Sequence, residues 1–487
     1  MPSAPALAVG AASVAAAAIM LAPGLNVPPV MMGVNLLLSC ACYLMTSKMS
    51  MAMRDTFIKA RLFGIDLNKP ETKRDANGVL MRPYQGPIIP EAMGAIGGTA
   101  YLVSMFCFIP FAFYDVGSAG LAALPAAGAA PARSIWRGLD AGSGMAGQAA
   151  DGFLLSKYLC GLLAICCMCF LGFADNVLDL RWRDKLWLPL TASLPLLMVY
   201  VVDGGGTVIV LPRAASRLLG LGSSVDIGAA YYAFMACLAI FCTNAINILA
   251  GVNGLEAGQS VVIAITIAIN NCIQLFRWSE GPLHANNLFS LCLILPFLAV
   301  SLALLRLNWH PARIFVGDTY CYFAGMTFAV CGILGHNAKT VLLFFLPQIA
   351  NFVYSLPQLF KVIPCPRHRM PGYDRNTDRL VVSTVEFDEA ELRPLGRIVL
   401  FLCEHLRLAL VRRPPPAHGS AHAAGTPAVS RPVVLSNLTI INLALYLLGP
   451  MHEARLTTTL LGVQAVCSCV ALFIRYWLAG LLYDTVY

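Results

Sequence analysis

"GFADNVLDLRWRDK", residues 172–185, decides how this chain is read. From residue 158 the chain runs without a charge, and then three acids, two arginines and a lysine fall within eleven positions. A helix crosses the hydrocarbon of a bilayer with ~20 mostly apolar residues. The stretch therefore reads as the end of a membrane span emerging into water.

The same alternation repeats along all 487 residues, of which 58% are hydrophobic and only 12% charged, with mean hydropathy +0.72. A soluble domain carries a charged fraction of about 25%. Ten segments have spanning length: 28–47, 92–114, 158–174, 186–202, 227–250, 257–276, 286–305, 319–338, 340–360 and 456–474. Long apolar runs, rather than short alternating ones, indicate helices and not a β-barrel. The fold class expected is an all-α polytopic membrane protein of about ten transmembrane helices, with a small cytosolic α/β excursion between helices 9 and 10.

Ten spans put both termini on one side. The other side receives the loops 48–91, 175–185, 251–256, 306–318 and 361–455, which hold 8, 3, 0, 2 and 12 basic residues, 25 of the 33 in the chain. The side richer in Lys and Arg is the cytosolic one. Its positive charge suits phosphate-bearing ligands or anionic headgroups, and equally suits plain topology control. Nothing points to nucleic acid.

Four regions follow: an Ala-rich lead-in (1–27), a transmembrane core (28–360), a cytosolic recognition segment (361–455) with a Pro-rich insert at 411–432, and the last span with the C-terminus (456–487). Residues 116–152 are Gly/Ala/Pro-rich and read as a flexible loop. The lead-in lacks the basic start of a secretory signal. Most of the 17 cysteines fall inside apolar runs and show no paired zinc spacing, so they read as core thiols. Asn437-Leu438-Thr439 is a glycosylation sequon by letter, placed here in the cytosol.

Polar residues at membrane depth are costly, so their grouping is informative. Four groups fall at the cytosolic ends of spans: Asp175, Asn176, Asp179, Arg181, Arg183 and Lys185; Asn244, Asn247, Asn253 and Glu256; Asp318; and Arg367, His368 and Arg369. Carboxylate and amide oxygens suit a hard cation such as Mg²⁺. Lysine and arginine suit phosphate oxygens. Together they describe phosphoryl transfer at a membrane surface. Taken singly, Asn244 and Asn247 would serve as well to join helices, and "RWR" to anchor an interface.

The strings "LFGIDLNK" (62–69), "LGFADNVLDLRWRDKLWLP" (171–189), "FCTNAINILAGVNGLEAGQS" (241–260), "RIFVGDTYCYFAGMTFAV" (313–330), "LLFFLPQIANFVYSLPQLF" (342–360) and "PCPRHR" (364–369) carry a resemblance. The chain resembles the eukaryotic UDP-N-acetylglucosamine–dolichyl-phosphate N-acetylglucosamine-1-phosphate transferases, a branch of the polyprenyl-phosphate sugar-phosphate transferase superfamily. The likeness runs from about residue 30 to the C-terminus. It implies transfer of GlcNAc-1-phosphate from UDP-GlcNAc to dolichyl phosphate, with UMP released, as the first step of lipid-linked oligosaccharide synthesis for N-glycosylation. It also implies Mg²⁺ with Mn²⁺ as a substitute, an endoplasmic reticulum membrane location with the site facing the cytosol, a homodimer, and tunicamycin as inhibitor.

By the same resemblance, Asn247 and Asp318 match the metal ligands and Lys185 the lysine on the lipid phosphate. Asp175 matches an acid that deprotonates the lipid phosphate or orders that lysine. Ile65, Asp66, Leu67, Glu91, Gly251 and Asn253 match nucleotide-sugar contacts, and Arg367, His368 and Arg369 the loop on the sugar and pyrophosphate. Ile240, Phe241, Cys242, Thr243, Asn244, Ala245, Ile246, Asn247 and Ile248 match the dolichyl-phosphate groove. One position departs: relatives carry a double acid where this chain has Asp175-Asn176. That raises the alternative of a weakened or inactive paralogue with a scaffolding role. A transporter is a further alternative, which the clustering of polar groups at one face disfavours.

Overall fold

The structure, a computed structural model, describes residues 27–66, 87–113, 147–178, 180–181, 184–202, 206–220, 222–365, 370–413 and 432–483. For residues 147–152 and 186 only the backbone is described. The lead-in up to residue 26, most of both Ala/Pro-rich stretches, and the site candidates Leu67, Arg367, His368 and Arg369 lie outside these residues.

Nine of the ten expected spans each coincide with a helix, and 340–360 coincides with a bent pair. The core contains α1 (Pro29–Ala52), α2 (Gly94–Phe113), α3 (Gly147–Leu178), α4 (Asp184–Val202), α5 (Ala229–Ile248), α6 (Leu255–Arg277), α7 (Pro282–Asn308), α8 (Gly317–Leu334), and the pair α9 (Ala338–Phe344) and α10 (Leu346–Leu359). Among the described residues seven helices are long and apolar enough to cross a membrane, or eight if the pair counts as one span.

A helix apolar all round belongs in the interior of a bundle, and α7 and α8 show it. From Thr319 to Leu334 every residue of α8 is buried. Small residues permit this closeness, as in packed membrane helices. A Cβ on Gly172 of α3 would stand 2.6 Å from the Cα of Thr319, and one on Gly325 would stand 2.3 Å from the backbone of α5. These contacts pull the ends of α3 and α5 against the start of α8, which is where the site forms.

Two local expectations are corrected. The helix α3 begins at Gly147, inside the stretch read as flexible loop, because "GQAADGF" contains nothing that stops a helix. The segment 340–360 is not one straight span: it bends by 68° at Phe345. Pro347 stands at the start of α10, where its missing N–H breaks no helical bond, so a new helix direction begins there.

At one end of the bundle the chain forms a hairpin of β1 (Phe63–Ile65) and β2 (Ile88–Pro90), in register Phe63↔Pro90. A second hairpin, β3 (Val208–Val210) with β4 (Ser224–Asp226), was not anticipated. After α10 comes a small α/β region. It comprises the hairpin β5 (Gly372–Asp374) and β6 (Arg379–Val381), and a three-stranded antiparallel sheet. The sheet has β7 (Thr384–Asp388), β8 (Val411–Arg412) and β9 (Pro432–Ser436) in the order β7-β9-β8. Helices α11 (Pro394–His405) and α12 (Ile440–Leu448) accompany it, and α13 (Glu453–Phe473) returns through the bundle.

Asn437 of the sequon is fully buried between this sheet and α10, so the folded chain gives a glycosylating enzyme no access to it. All 17 cysteines are free thiols.

Candidate active site

Four polar side chains from four helices meet where α3 ends and α8 begins. Lys185, in the first turn of α4, places Nζ 2.8 Å from Asp175 Oδ2 and 3.5 Å from Asp318 Oδ2. Asp175 is buried and fully engaged: Oδ1 accepts from the Leu180 N–H at 3.1 Å, and Oδ2 accepts from the Tyr322 hydroxyl at 2.9 Å. Asp318 stands in the first turn of α8, where the helix dipole favours a carboxylate, and keeps 26% of its side chain open. Asn247, at the end of α5, lines the same cavity wall as Asp318. Asn244 turns elsewhere: its amide donates to the Lys185 carbonyl at 3.2 Å and ties α5 to α4.

Asn176 does not enter this quartet. Its Oδ1 accepts from the Thr319 N–H at 3.0 Å and from the Thr319 hydroxyl at 2.7 Å. The first N–H groups of a helix have no partner within it, and Asn176 supplies one from another helix. It is a cap for α8, delivered by α3. A cap needs an acceptor oxygen and no charge, and Asn caps as well as Asp. This contact does not require the acid that the resemblance implies at position 176.

Beside the quartet opens a cavity of about 320 Å³ lined by Ile65, Asp66, Glu91, Asn247, Gly251, Asn253 and Asp318. These seven positions and Glu256, all selected from sequence and spread over more than 250 residues, thus share one wall. The β1–β2 hairpin supplies the first three. Burial pushes the Glu91 carboxyl above the usual carboxylate range.

The loop between α5 and α6 supplies Gly251 and Asn253 and is fastened on every side. Asn253 donates its N–H to Glu453 Oε1 at 2.7 Å and its amide to Asp66 Oδ2 at 3.0 Å. The Thr457 hydroxyl donates to the Asn253 carbonyl at 2.9 Å, and Asn308 accepts from the Gly254 N–H at 3.0 Å. Glu256 accepts from the Gly251 N–H at 3.0 Å. Gly251 adopts φ +106°, a conformation that favours glycine, and a Cβ there would stand 3.0 Å from Met370.

The candidates on α5 divide by helical face. Cys242, Thr243, Ala245 and Ile246 are buried in the bundle, while Ile240, Phe241, Asn244, Asn247 and Ile248 remain partly open. Nine consecutive helical residues cannot share one face.

Sequence reading left out the groups that hold the loop, Glu453, Thr457 and Asn308, and the cavity residues Phe315 and Tyr373. For Glu453 a signal existed: an acid directly ahead of a long apolar run at 456–474 needs a partner. Phe315 and Tyr373 carried none, since aromatics abound in this chain.

The sequence model of glycosyl transferase family 4 matches residues 158–336, the segment from α3 to the end of α8. The chain is 41% identical to the UDP-N-acetylglucosamine–dolichyl-phosphate N-acetylglucosaminephosphotransferase of Saccharomyces cerevisiae, over 91% of each chain. It is 39% identical to the protein of the same name from Schizosaccharomyces pombe, over 92% of this chain and 93% of that one. For the Dictyostelium discoideum protein of that name the identity is 38%, over 89% of this chain and 86% of the other.

Proposed function

Since the chain belongs to the family of UDP-N-acetylglucosamine–dolichyl-phosphate N-acetylglucosaminephosphotransferases, we propose that it moves GlcNAc-1-phosphate from UDP-GlcNAc to dolichyl phosphate at the Asp318 cavity. The observation that carries this is the junction of two chemistries. A lysine held by two aspartates at a bundle end adjoins a cavity lined by a hairpin and an asparagine-bearing loop. One half suits a phosphate arriving from the lipid, the other a nucleotide arriving from water.

In the reaction an oxygen of the lipid phosphate attacks the β-phosphorus of UDP-GlcNAc. A new oxygen–phosphorus bond forms, the bond from that phosphorus to the bridging oxygen breaks, and UMP leaves with the electron pair. A phosphate monoester has its second pKa near ~6, so the nucleophile is largely ionised at neutral pH. Asp175 is buried, makes its contacts to Lys185, Leu180 and Tyr322, and does not line the cavity. Its role is to aim the Lys185 ammonium at the lipid phosphate, rather than to take a proton. The Asn253 amide and the Ile65–Asp66 edge orient the nucleotide, and Phe315 offers a ring face to its base. Arg367, His368 and Arg369 are assigned to the sugar and pyrophosphate by family likeness.

Asp318 and Asn247 would hold Mg²⁺, or Mn²⁺ in its place. Both present oxygen donors at the cavity wall, and among the described residues no group of three or more His, Cys, Asp or Glu stands ready to hold a metal alone. Two protein oxygens, with waters and substrate phosphates completing the shell, is a usual arrangement for this cation. Such an ion neutralises pyrophosphate charge.

The bundle end that carries the site also carries most of the basic residues, which supports a cytosolic site in the endoplasmic reticulum membrane. A homodimer is part of the same reading.

The test uses purified protein in detergent with UDP-GlcNAc, dolichyl phosphate and Mg²⁺, and measures UMP. Release is expected from the parent chain and is lost on chelation of the metal and in Asp318→Ala. No release from a folded parent sinks the reading; release untouched by Asp318→Ala sinks the site.

A further inference from the structure

Among the described residues nothing from another element covers one apolar face of the helix α11. Leu395, Ile398, Phe401, Leu402 and Leu406 are between 44% and 62% exposed, whereas Gly396, Leu400 and Cys403 are buried against the sheet. At ~100° per residue, Leu395, Ile398, Leu402 and Leu406 fall on one strip and Phe401 flanks it. The helix therefore has two apolar faces, and only one is used by the fold. A face of this extent on an aqueous surface marks an interaction site.

Its position identifies the occupant. A Cβ on Gly396 would stand 2.7 Å from the Val362 carbonyl, so α11 starts against the chain just after α10. At the far end, the Tyr354 hydroxyl of α10 donates to the Leu408 carbonyl. The helix is thus clamped at both ends to the last turns of the bent pair. Val353 on α10 and Phe360 directly after it are 57% and 66% exposed, which in a membrane-spanning bundle means exposure to lipid. The open strip of α11 continues that apolar surface beyond the end of the span.

Charge agrees. Lys361, Arg393, Arg397 and Arg407 are exposed around the helix. The acids Glu389 and Glu404 are instead paired with Arg413, with Arg413 Nη1 2.5 Å from Glu404 Oε1. An amphipathic helix with basic residues at its margin lies in the interfacial plane of a bilayer and prefers anionic lipid.

We infer that α11 is a monotopic membrane helix, its Leu395–Ile398–Phe401–Leu402–Leu406 face embedded among headgroups and upper acyl chains beside α10. The α/β region is then held to the membrane at a second point besides its covalent links to α10 and α13. The inference depends on the chain being a membrane protein, and not on which reaction it catalyses.

The test places the photoreactive residue p-benzoyl-phenylalanine at position 401 of the full chain, reconstituted in phosphatidylcholine vesicles with a minority of phosphatidylserine. Irradiation is followed by intact-mass measurement. The same residue at the lipid-exposed Phe170 of α3 (70% exposed) is the positive control, and at buried Leu400 the negative one. Expected is a one-lipid mass increase at 401 comparable with that at 170. Its marked loss when Arg393→Glu and Arg397→Glu are added is expected as well. A cross-linked pair of chains at 401 would make the face a contact between copies. No adduct at 401 beside a strong one at 170 would leave it in water. Either result overturns the inference, and a size-exclusion profile and thermal midpoint matching the parent's show that the 401 variant folded.

Discussion

Asn176 shows how little of a side chain's role is visible without its neighbours. In sequence it stands beside Asp175 at a position where the family resemblance implies a second acid, and that suggested a damaged enzyme. In the fold its oxygen faces Thr319 and secures the turn that carries Asp318. Replacing it by alanine removes a cap, a loss of about 1 kcal/mol, and frees the helix start. Asn176→Ala should lower both the thermal midpoint and UMP release, while Asn176→Asp, which retains the acceptor, should keep both near the parent's. Loss of activity in the Asp variant with an unchanged midpoint would show that charge at 176 matters more than capping. Glu91 gives a second case, with a sign that can be worked out. Burial raises its carboxyl, so the folded state favours the neutral form. The stabilisation this gives is fully present below the unfolded value of ~4.3 and is lost as pH rises through the folded value. At pH 7 a charged Glu91 therefore weighs against the fold. Glu91→Gln should raise the thermal midpoint at pH 7 and leave it nearly unchanged at pH 4, by thermal unfolding in detergent without substrate. An equal shift at both values would remove the electrostatic cause.

Elements were legible in proportion to how far one physical rule determines them. Hydrocarbon thickness largely determines a span, so nine of the ten apolar runs appear as single helices. The bend at Phe345 was not legible, because a bent pair and a straight span share one hydropathy profile. The start of α3 was missed for the opposite reason, since a Gly/Ala-rich composition says loop while no residue there actually ends a helix. The beginning of α8 depends on one glycine. Gly317 has φ +69°, and a Cβ on it would stand 2.9 Å from the Ala92 backbone and 2.8 Å from Asn176 Oδ1. A side chain in that conformation costs roughly 1–2 kcal/mol before any clash. Gly317→Ala should reduce the thermal midpoint and nearly abolish UMP release by displacing Asp318. Gly462→Ala, on an open face of α13 with nothing near its Cβ position, is the matching control. It should be neutral or stabilising by up to ~1 kcal/mol through helix propensity. Similar midpoints for the two variants would refute the special role of residue 317.

At the scale of the molecule, the site is an end of the bundle rather than a segment of chain. Residues 65, 91, 175, 185, 247, 253 and 318 come together because helices of matched length return the chain repeatedly to one face. Counting spans was enough to say that these positions share a side, while the family resemblance, and not the count, singled out 65 and 91. What fixes them in place could not be read, since Glu453 reaches Asn253 across 200 residues and only packing reveals it. The same count supports the proposed cytosolic placement of the site. The loops on its side hold 25 of the 33 basic residues, and lysine and arginine are retained on the cytosolic face. UDP-GlcNAc is a charged nucleotide sugar that does not cross a bilayer unaided. Sealed microsomes with their cytosolic face outward should therefore transfer GlcNAc-1-phosphate from added UDP-GlcNAc at the same rate before and after permeabilisation with detergent. Full activity without detergent, abolished by protease or a membrane-impermeant lysine reagent added outside, is the expected result. Activity that appears only after permeabilisation would place the site in the lumen. The positive charge at that end would then have to serve the phosphates of the substrates alone.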